Sequence, residues 1–417
     1  MAAGVSPHLH HNPAILAVLV VTYVGIALGK IPGLKLNRTG IALLGAIAMT
    51  IFGGVTTTEA VAYINWSTLF LLFGFFVISA QLRLSGFYNV VANAISDRLG
   101  HPVQFLFVLM LMVAGLSAFL NHDIVCFVFT PIVGAALLGR GLNPVPFLVA
   151  LAIASNVGAA ATLIGNPQDM MIGQVAHLNF GQYLLWSIVP VLFALGGSFG
   201  TIWLMSLRDF QSAAKAPKKK TEAIPSEAFN RLHTIKGLVI LVVVIGLFFS
   251  PLPKEIVALA AAGIHLASTK FRTEDLLGLV DWSVLILFLG LFVITGSFQS
   301  TGYGDQAVQW LAHGGFRLDA PPALIATTAL LSNLINNSAA VMLLVKVLDL
   351  SHPVTAYVLA LANSFGGSLV VIGSVANLIV VQQAREMNIT IGFGDFARLG
   401  VPATLLALGG LLVWVIC

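Results

Sequence analysis

Asp123 and Asp169 are the two carboxylates that stand inside apolar stretches of this chain of 417 residues; the other fourteen acids fall in expected loops or at the ends of spans. A charged group at membrane depth costs about 2.5–3.5 kcal/mol on insertion scales, so an intramembrane Asp is a functional candidate by default. Asp123 follows His122 in the polar tip Asn121-His122-Asp123. A desolvated Asp, or a His beside it, can bind a cation or carry a proton near neutral pH. The competing reading is a purely structural, hydrogen-bonded Asp123. Asp169 ends the small and polar stretch that begins at Ser155-Asn156 and passes through Thr162 and Gly165-Asn166-Pro167-Gln168. It is expected nearer the outer end of its helix.

The second half carries a similar set: the tip Asn336-Asn337-Ser338, then Asn363-Ser364, then Gly373-Ser374 followed by Asn377. Amide, hydroxyl and small residues beside Gly and Pro are what an interrupted helix needs. The interruption frees carbonyls that can ligate a cation, and the resuming helix presents N–H groups to an anion. Asn121, His122, Thr162, Asn166, Asn336, Asn337, Ser338, Ser374 and Asn377 are therefore expected to bind substrate. Asp123, Asp169, Ser155, Asn156, Gly165, Asn363, Ser364 and Gly373 are expected to hold the coupling ion, H+ or Na+, with no further cofactor and no metal. The set contains no Lys or Arg, so an anion bound there is held by amides, hydroxyls and helix-end dipoles, with a co-bound cation as a further aid. His265, alone on an apolar span, is expected to be a satisfied packing histidine.

These residues need elements at membrane depth, and the chain supplies them. It is 58% hydrophobic and 9% charged, with a mean hydropathy of +0.97, whereas a globular domain is roughly 25% charged. Fourteen apolar runs recur from residue 14 to 417. Two neighbouring pairs, 104–139 and 322–350, are broken by the polar tips, which marks them as hairpins that dip into the bilayer and return. Ten crossings remain. With the N-terminus outside, 17 of the 20 Lys and Arg fall on the cytoplasmic side. Both termini are then extracytoplasmic, and the basic stretch 208–236, with Lys218-Lys219-Lys220, is a cytoplasmic linker. Residues 1–12 hold His8, His10 and His11 but no Lys or Arg, so they lack the basic leader of a signal peptide, and the His run is read as a chance feature of a tail. Cys126 and Cys417 suggest no disulfide. The formal net charge of +4 reflects a few basic loops, and a nucleic-acid partner is excluded.

The chain also repeats itself. A shift of 216 puts Trp66-Ser67 on Trp282-Ser283 and Gly74 on Gly290; 215 puts Leu116-Ser117 on Leu331-Ser332 and one tip on the other. A shift of 208 puts Ile164-Gly165 on Ile372-Gly373 and Asp169 on Asn377, and 213 puts Phe180-Gly181 on Phe393-Gly394. Four blocks in one order mark a duplication. Five crossings per half, an odd number, make the halves inverted. The expected fold is an all-α polytopic membrane protein of two inverted repeats, 1–207 and 237–417, each with a re-entrant helical hairpin and a broken transmembrane helix. That is the architecture of alternating-access transporters.

At these residues the sequence resembles the ion transporter superfamily, which includes the arsenite permease ArsB, the sodium/proton antiporter NhaD, citrate–metal carriers, plant silicon effluxers and divalent-anion/sodium symporters. Ser155-Asn156-Val157-Gly158 through Ala161-Thr162-Leu163-Ile164-Gly165-Asn166-Pro167-Gln168 is similar to a family stretch, as are Gly373 to Ile379 and Asn121-His122-Asp123 with Thr130-Pro131-Ile132. The likeness runs from about Trp66 to the C-terminus. It implies a two-hairpin fold, a homodimer in the cell (inner) membrane, and an elevator-like or rocking exchange. Symporter tips of the family read Ser-Asn-Thr and help bind sodium and a carboxylate; the arsenite branch has Asn-Asp, which Asp123 matches and His122 does not. That departure favours proton coupling.

The leading expectation is a secondary active transporter of a small anion or oxyanion coupled to H+ or Na+. An arsenite or silicic acid efflux permease and a sodium/proton antiporter are the alternatives. A channel, an intramembrane enzyme and an ATP-driven pump are disfavoured: the chain has no HExxH and no GxxxxGK[ST].

Overall fold

Helix starts in this chain are written mainly by asparagine. Asn12, Asn37, Asn65, Asn121, Asn166, Asn179, Asn230 and Asn336 each accept a hydrogen bond from a backbone N–H of the helix they begin. An Asn side chain satisfies a donor that the first turn leaves open, which matters most where water is absent. The computed structural model describes residues 12–29, 35–96, 101–207, 229–268, 270–304 and 320–417, with isolated positions between 305 and 319. The described residues form helices and no strands. His8, His10 and His11 and residues 208–228 of the expected linker lie outside them.

The first half contains α1 (Pro13–Leu28), α2 (Arg38–Ile51), α3 (Thr57–Tyr63), α4 (Trp66–Leu84), α5 (Phe87–Ser96), α6 (Pro102–Phe119), α7 (His122–Gly139), α8 (Val145–Ala159), α9 (Pro167–Val175) and α10 (Phe180–Met205). The second contains α11 (Arg231–Leu247), α12 (Lys254–Leu266), α13 (Thr273–Gly278), α14 (Trp282–Gln299), α15 (Pro321–Ile335), α16 (Asn337–Val347), α17 (Pro353–Gly366), a 3-10 turn (Val371–Gly373), α18 (Val375–Glu386) and α19 (Phe393–Ile416). The apolar run 145–173 is thus divided into α8 and α9, and 354–381 into α17 and α18. The short α3, α5 and α13 do not stand out by hydropathy; α3 is set by the capping box of Thr56 with Glu59.

The helix starts reproduce the sequence offsets. α4 and α14 begin 216 residues apart, α7 and α16 215, α9 and α18 208, and α10 and α19 213. Packing follows the same correspondence: α4 lies on α12 as α14 lies on α2, α6 on α8 as α15 on α17, and α7 on α18 as α16 on α9. α10 and α19 pack on each other.

Two of these crossings are close enough to exclude a side chain. A Cβ at Gly74 would meet the backbone of Ala258 at 2.7 Å, and one at Gly290 the carbonyl of Ala42 at 2.8 Å. Small residues let helices approach in a medium that offers no hydrophobic drive to pair them.

Polarity is arranged inside out. Leu16, Val20 and Val24 on α1, Val239, Val242 and Val243 on α11, and Leu405, Leu406 and Val413 on α19 are exposed, while Asn156, Asn363, Asn377 and Asp169 are buried. α4, α6, α7, α10, α14 and α19 are long and apolar enough to cross a membrane, and α1, α2, α8, α15 and α16 are shorter apolar helices. His265 lies on α12. The expectation of a satisfied histidine is corrected here: it is buried with both ring nitrogens unbonded.

Gly74→Val and Gly290→Val are each expected to destabilise the protein by about 1–3 kcal/mol through overpacking. Gly115→Val, at a site with no atom within 4 Å of an added Cβ, serves as the control. Thermal unfolding in detergent checks this: equal shifts in all three variants would contradict the close-crossing argument.

Candidate functional site

α8 stops at Ala159 and α9 resumes at Pro167; α17 stops at Gly366 and α18 resumes at Val375. The backbone groups released in these gaps are buried, so side chains must take them up. In the second gap Asn377 does most of this, donating through Nδ2 to the carbonyls of Gly367 (2.7 Å) and Val370 (3.0 Å). In the first, Tyr183 donates to the Ala160 carbonyl at 2.9 Å and Ser187 to that of Ala161 at 2.8 Å.

The two gaps are bonded to each other. Asn156 Nδ2 donates to Asn377 Oδ1 at 2.9 Å, and the Ser374 hydroxyl donates to Asn156 Oδ1 at 2.8 Å. With the 208-residue offset, the counterparts of Asn156, Ser374 and Asn377 are Ser364, Asn166 and Asp169. They are bonded in the same pattern: Asn166 Nδ2 donates to Ser364 Oγ at 3.1 Å and to Asp169 Oδ2 at 2.6 Å, with Ser364 Oγ 3.5 Å from Asp169 Oδ2. Each half therefore lends one residue of the helix that precedes its own break, Asn156 on α8 or Ser364 on α17, to the break of the other. Gln168 Nε2 adds a further cross-half bond, to Ser338 Oγ at 2.7 Å.

The hairpin tips close on the same breaks. The N–H of His122 donates to the Gly165 carbonyl at 3.4 Å, and Ser155 Oγ to the His122 carbonyl at 3.2 Å. Asn121 and Asn336 spend their Oδ1 atoms capping Asp123 N (2.8 Å) and Ser338 N (3.0 Å). Thr162 donates to the Ala118 carbonyl and accepts from Ile164 N at 3.2 Å, so it ties the hairpin to the broken helix. Gly165 and Gly373 are fixed by close approach: an added Cβ would lie 2.6 Å from the Ser117 carbonyl and 2.8 Å from the Gly367 carbonyl respectively. Asn336 adopts φ 78°, ψ 151°, a region that only glycine enters without strain, and strain of this kind concentrates at functional sites.

All of the expected site residues thus fall in or beside one buried region. Asp169 lies in the first turn of α9 and is fully buried. Several polar atoms there have no hydrogen-bond partner: Asp169 Oδ1, Asp123 Oδ1, His122 Nδ1, Asn336 Nδ2, Asn337 Oδ1 and Asn363 Nδ2. His122 Nε2 stands 3.5 Å from Asp123 Oδ1. Orphaned buried atoms are rare in native proteins, and this group of them singles the region out as the candidate site. Among the described residues no group of three or more His, Cys, Asp or Glu could hold a metal ion. Sequence reasoning missed Gln168, Ser117, Ser332 and Asn333. Ser117 bonds Ser155 at 3.3 Å and Ser332 bonds Asn363 at 2.8 Å, a pair that the Leu116-Ser117 and Leu331-Ser332 match already marked.

Hairpins set against reciprocally bonded broken helices, inside a bundle with an apolar exterior, define a multi-pass membrane transporter rather than an enzyme. The model of the citrate transporter family, CitMHS, matches residues 18–362, and the chain belongs to that family. A 46 kDa membrane protein of Mycobacterium leprae is 29% identical, with 96% of this chain and 97% of that one covered. The silicon efflux transporter LSI3 of Oryza sativa subsp. japonica is 26% identical over 90% of this chain and 92% of its own. The fold is that of the Alcanivorax borkumensis YdaH transporter, whose crystal structure was described as showing an unusual topology: TM-score 0.58, 16% identity, 98% and 97% covered.

Asn156→Ala leaves Ser374 and Asn377 without their partner and is expected to cost about 1–3 kcal/mol. In a double-mutant cycle with Asn377→Ala, measured by unfolding in detergent, a coupling of about 0.5–3 kcal/mol is expected, as for groups in one network. Additive effects would mean that the two breaks are not bonded to each other. At Asn336, Gly is expected to be tolerated better than Ala, because Ala loses the cap and keeps the strain.

Proposed function

We propose that this protein is a secondary active transporter of a small anion or oxyanion, carboxylate or inorganic, that works by alternating access and is coupled to H+ or Na+. The observation that carries the reading is the pseudo-twofold network of the two broken helices, in which Asn156 and Ser364 exchange places between halves. A site assembled equally from two halves is available to both membrane faces when the halves are inverted. The orphaned amides of Asn336 and Asn363 are donors suited to an anion, together with the N-terminal ends of α7, α9, α16 and α18.

All three corresponding pairs, Asn156 and Ser364, Ser374 and Asn166, Asn377 and Asp169, differ in side chain, but only the last exchanges an amide for a carboxylate. An amide both donates and accepts, whereas a carboxylate accepts only, so Asp169 is the titratable member of an otherwise neutral set. Asp123, paired with His122, is the second titratable point. On this reading these two carry the coupling ion, and the substrate meets the tips and helix starts. Residues 1–207 and 237–417 are the two inverted repeats, each hairpin enters and leaves from one side, both termini are extracytoplasmic, the protein sits in the cell membrane as a homodimer, and 208–236 is the cytoplasmic linker. A second reading, efflux of a neutral hydroxylated solute such as silicic or arsenious acid, is favoured by the absence of Lys and Arg from the hydrogen-bonded network and by the likeness to a silicon efflux transporter.

Proteoliposomes loaded with the purified protein test this with citrate, succinate, sulfate, arsenite and silicic acid under separately imposed sodium and proton gradients. Uptake of one anion driven by one gradient is expected. Asp123→Asn and Asp169→Asn should each lower it by at least about tenfold, the rate equivalent of about 1.4 kcal/mol. Asp169→Asn should nonetheless fold, because Asn already occupies the equivalent position of the other half. Sodium–proton exchange without movement of any anion would replace this reading with that of an antiporter.

A further inference from the structure

The two inverted halves place the same residues on opposite faces of the bundle, so any difference between those places shows the state of the molecule. α2 and α12 begin at Arg38 and Lys254, 216 residues apart, and each is tied to the start of its partner helix. On one face Thr39 Oγ1 donates to the Ser283 carbonyl at 3.1 Å; on the other, Ser67 Oγ donates to Glu255 Oε1 at 3.2 Å. These frame contacts match. The contacts from the frame to the broken helices do not.

On the Lys254 face, α9 packs along α4. Gln174, the eighth residue of α9, donates to Glu255 Oε2 at 3.4 Å, and Lys254 Nζ donates to the Leu178 carbonyl at 3.0 Å just beyond that helix. On the Arg38 face the counterpart of α9 is α18, whose eighth residue, Gln382, is exposed. α18 has no comparable packing on α14 among the described residues. In its place is a cavity of about 130 Å³ lined by Arg38, Asp281, Ser283 and Leu287 and reaching the tip residue Asn336 and Val375, the first residue of α18. Arg38 turns aside to the Ile26 carbonyl at 3.2 Å.

We propose that Gln174, Glu255 and Lys254 form a latch that closes the Lys254 face, and that the cavity beneath Arg38 is the route by which the solute reaches the site in this conformer. The inference rests on the transporter reading, and it makes these three side chains gating residues that never touch the solute. With the orientation proposed above, the latched face is extracytoplasmic and the open one cytoplasmic. The exchange then requires α9 to leave Glu255 and α18 to approach the Arg38 end of the frame, with Gln382 taking the place that Gln174 gives up. A latch holds a two-state equilibrium to one side by its bonding in one state only, so weakening it shifts the populations.

The test uses thiol accessibility and needs no solute. Leu287 lines the cavity, and Leu71, its counterpart 216 residues earlier, is buried under the latched face. Leu287→Cys and Leu71→Cys are made separately in a Cys417→Ser background, where Cys126 stays buried, and each is treated with a water-soluble methanethiosulfonate reagent. Leu287→Cys is expected to react at least tenfold faster than Leu71→Cys. Adding Gln174→Ala should slow Leu287→Cys and accelerate Leu71→Cys, each by at least threefold, and Lys254→Met, which keeps the stem and removes the donor, should do the same. All variants are assayed as monodisperse protein. Equal rates at the two positions, or rates that neither latch variant changes, would overturn the proposal. The predicted labelling pattern in a protein that moves no solute in proteoliposomes would leave the latch standing and refute the transport reading alone.

Discussion

One amide holds the second break open in a defined shape: Asn377 gives both hydrogens to the carbonyls of Gly367 and Val370 and takes one from Asn156 of the other half. The constraint behind it is general. A helix interrupted inside an apolar-clad bundle exposes N–H and C=O groups to a medium that cannot bond them, and each left alone costs several kcal/mol. This chain meets that demand within each half, through Asn377 in one break and Tyr183 and Ser187 in the other, and then ties each break to the other half through Asn156 and Ser364. The buried amides and hydroxyls that look wasteful in so apolar a sequence are there for that reason.

The halves solve the same problem with different atoms. The joint between hairpin and broken helix is made in the first half by Thr162, which reaches from the break to the hairpin carbonyl of Ala118. In the second half the donor sits on the hairpin: Asn333 Nδ2 reaches the carbonyls of Ala329 and Gly366, each at 2.8 Å. Ser117 with Ser155 becomes Ser332 with Asn363, and Asp169 becomes Asn377. A duplicated scaffold preserves where a bond is needed better than it preserves which side supplies it. Function enters through such differences, since a carboxylate in place of an amide changes the charge of the site without changing its geometry.

This also sets what the sequence discloses. Apolar runs, polar tips and repeated offsets are local or periodic signals, and the helix starts at Trp66 and Trp282 or at Pro167 and Val375 stand where those offsets put them. The short α3 and α13 escape, because hydropathy does not mark them: α3 is set by the capping box of Thr56 with Glu59, and α13 has no side-chain cap. The identities of the bonding partners escape too. Asn166 meets Ser364 and Gln168 meets Ser338 over separations of 198 and 170 residues, a consequence of how the halves pack that no spacing within either half encodes. His265 shows the opposite failure: its type promised a hydrogen bond, and where it is buried neither ring nitrogen finds one.

The distribution of bonds also constrains how such a molecule moves. The two breaks are joined by Asn156, Ser374, Asn377, Asn166 and Ser364 in one buried network, and separating the halves there would leave several polar atoms unpaired at once. The frame is equally coherent, with α4 on α12 and α14 on α2 held by the close crossings at Gly74 and Gly290 and by matching polar ties on both faces. The faces differ in how the broken helices meet the frame, and in the hairpin contact that α14 makes with α16. The hydrogen bonds that join the two breaks are buried, while those from α9 and Leu178 to the frame, at Gln174 and Lys254, are partly exposed. Displacement of the whole network along the frame keeps its internal bonds and exchanges a few partly exposed ones, such as those of Gln174 and Lys254, whose individual worth is modest.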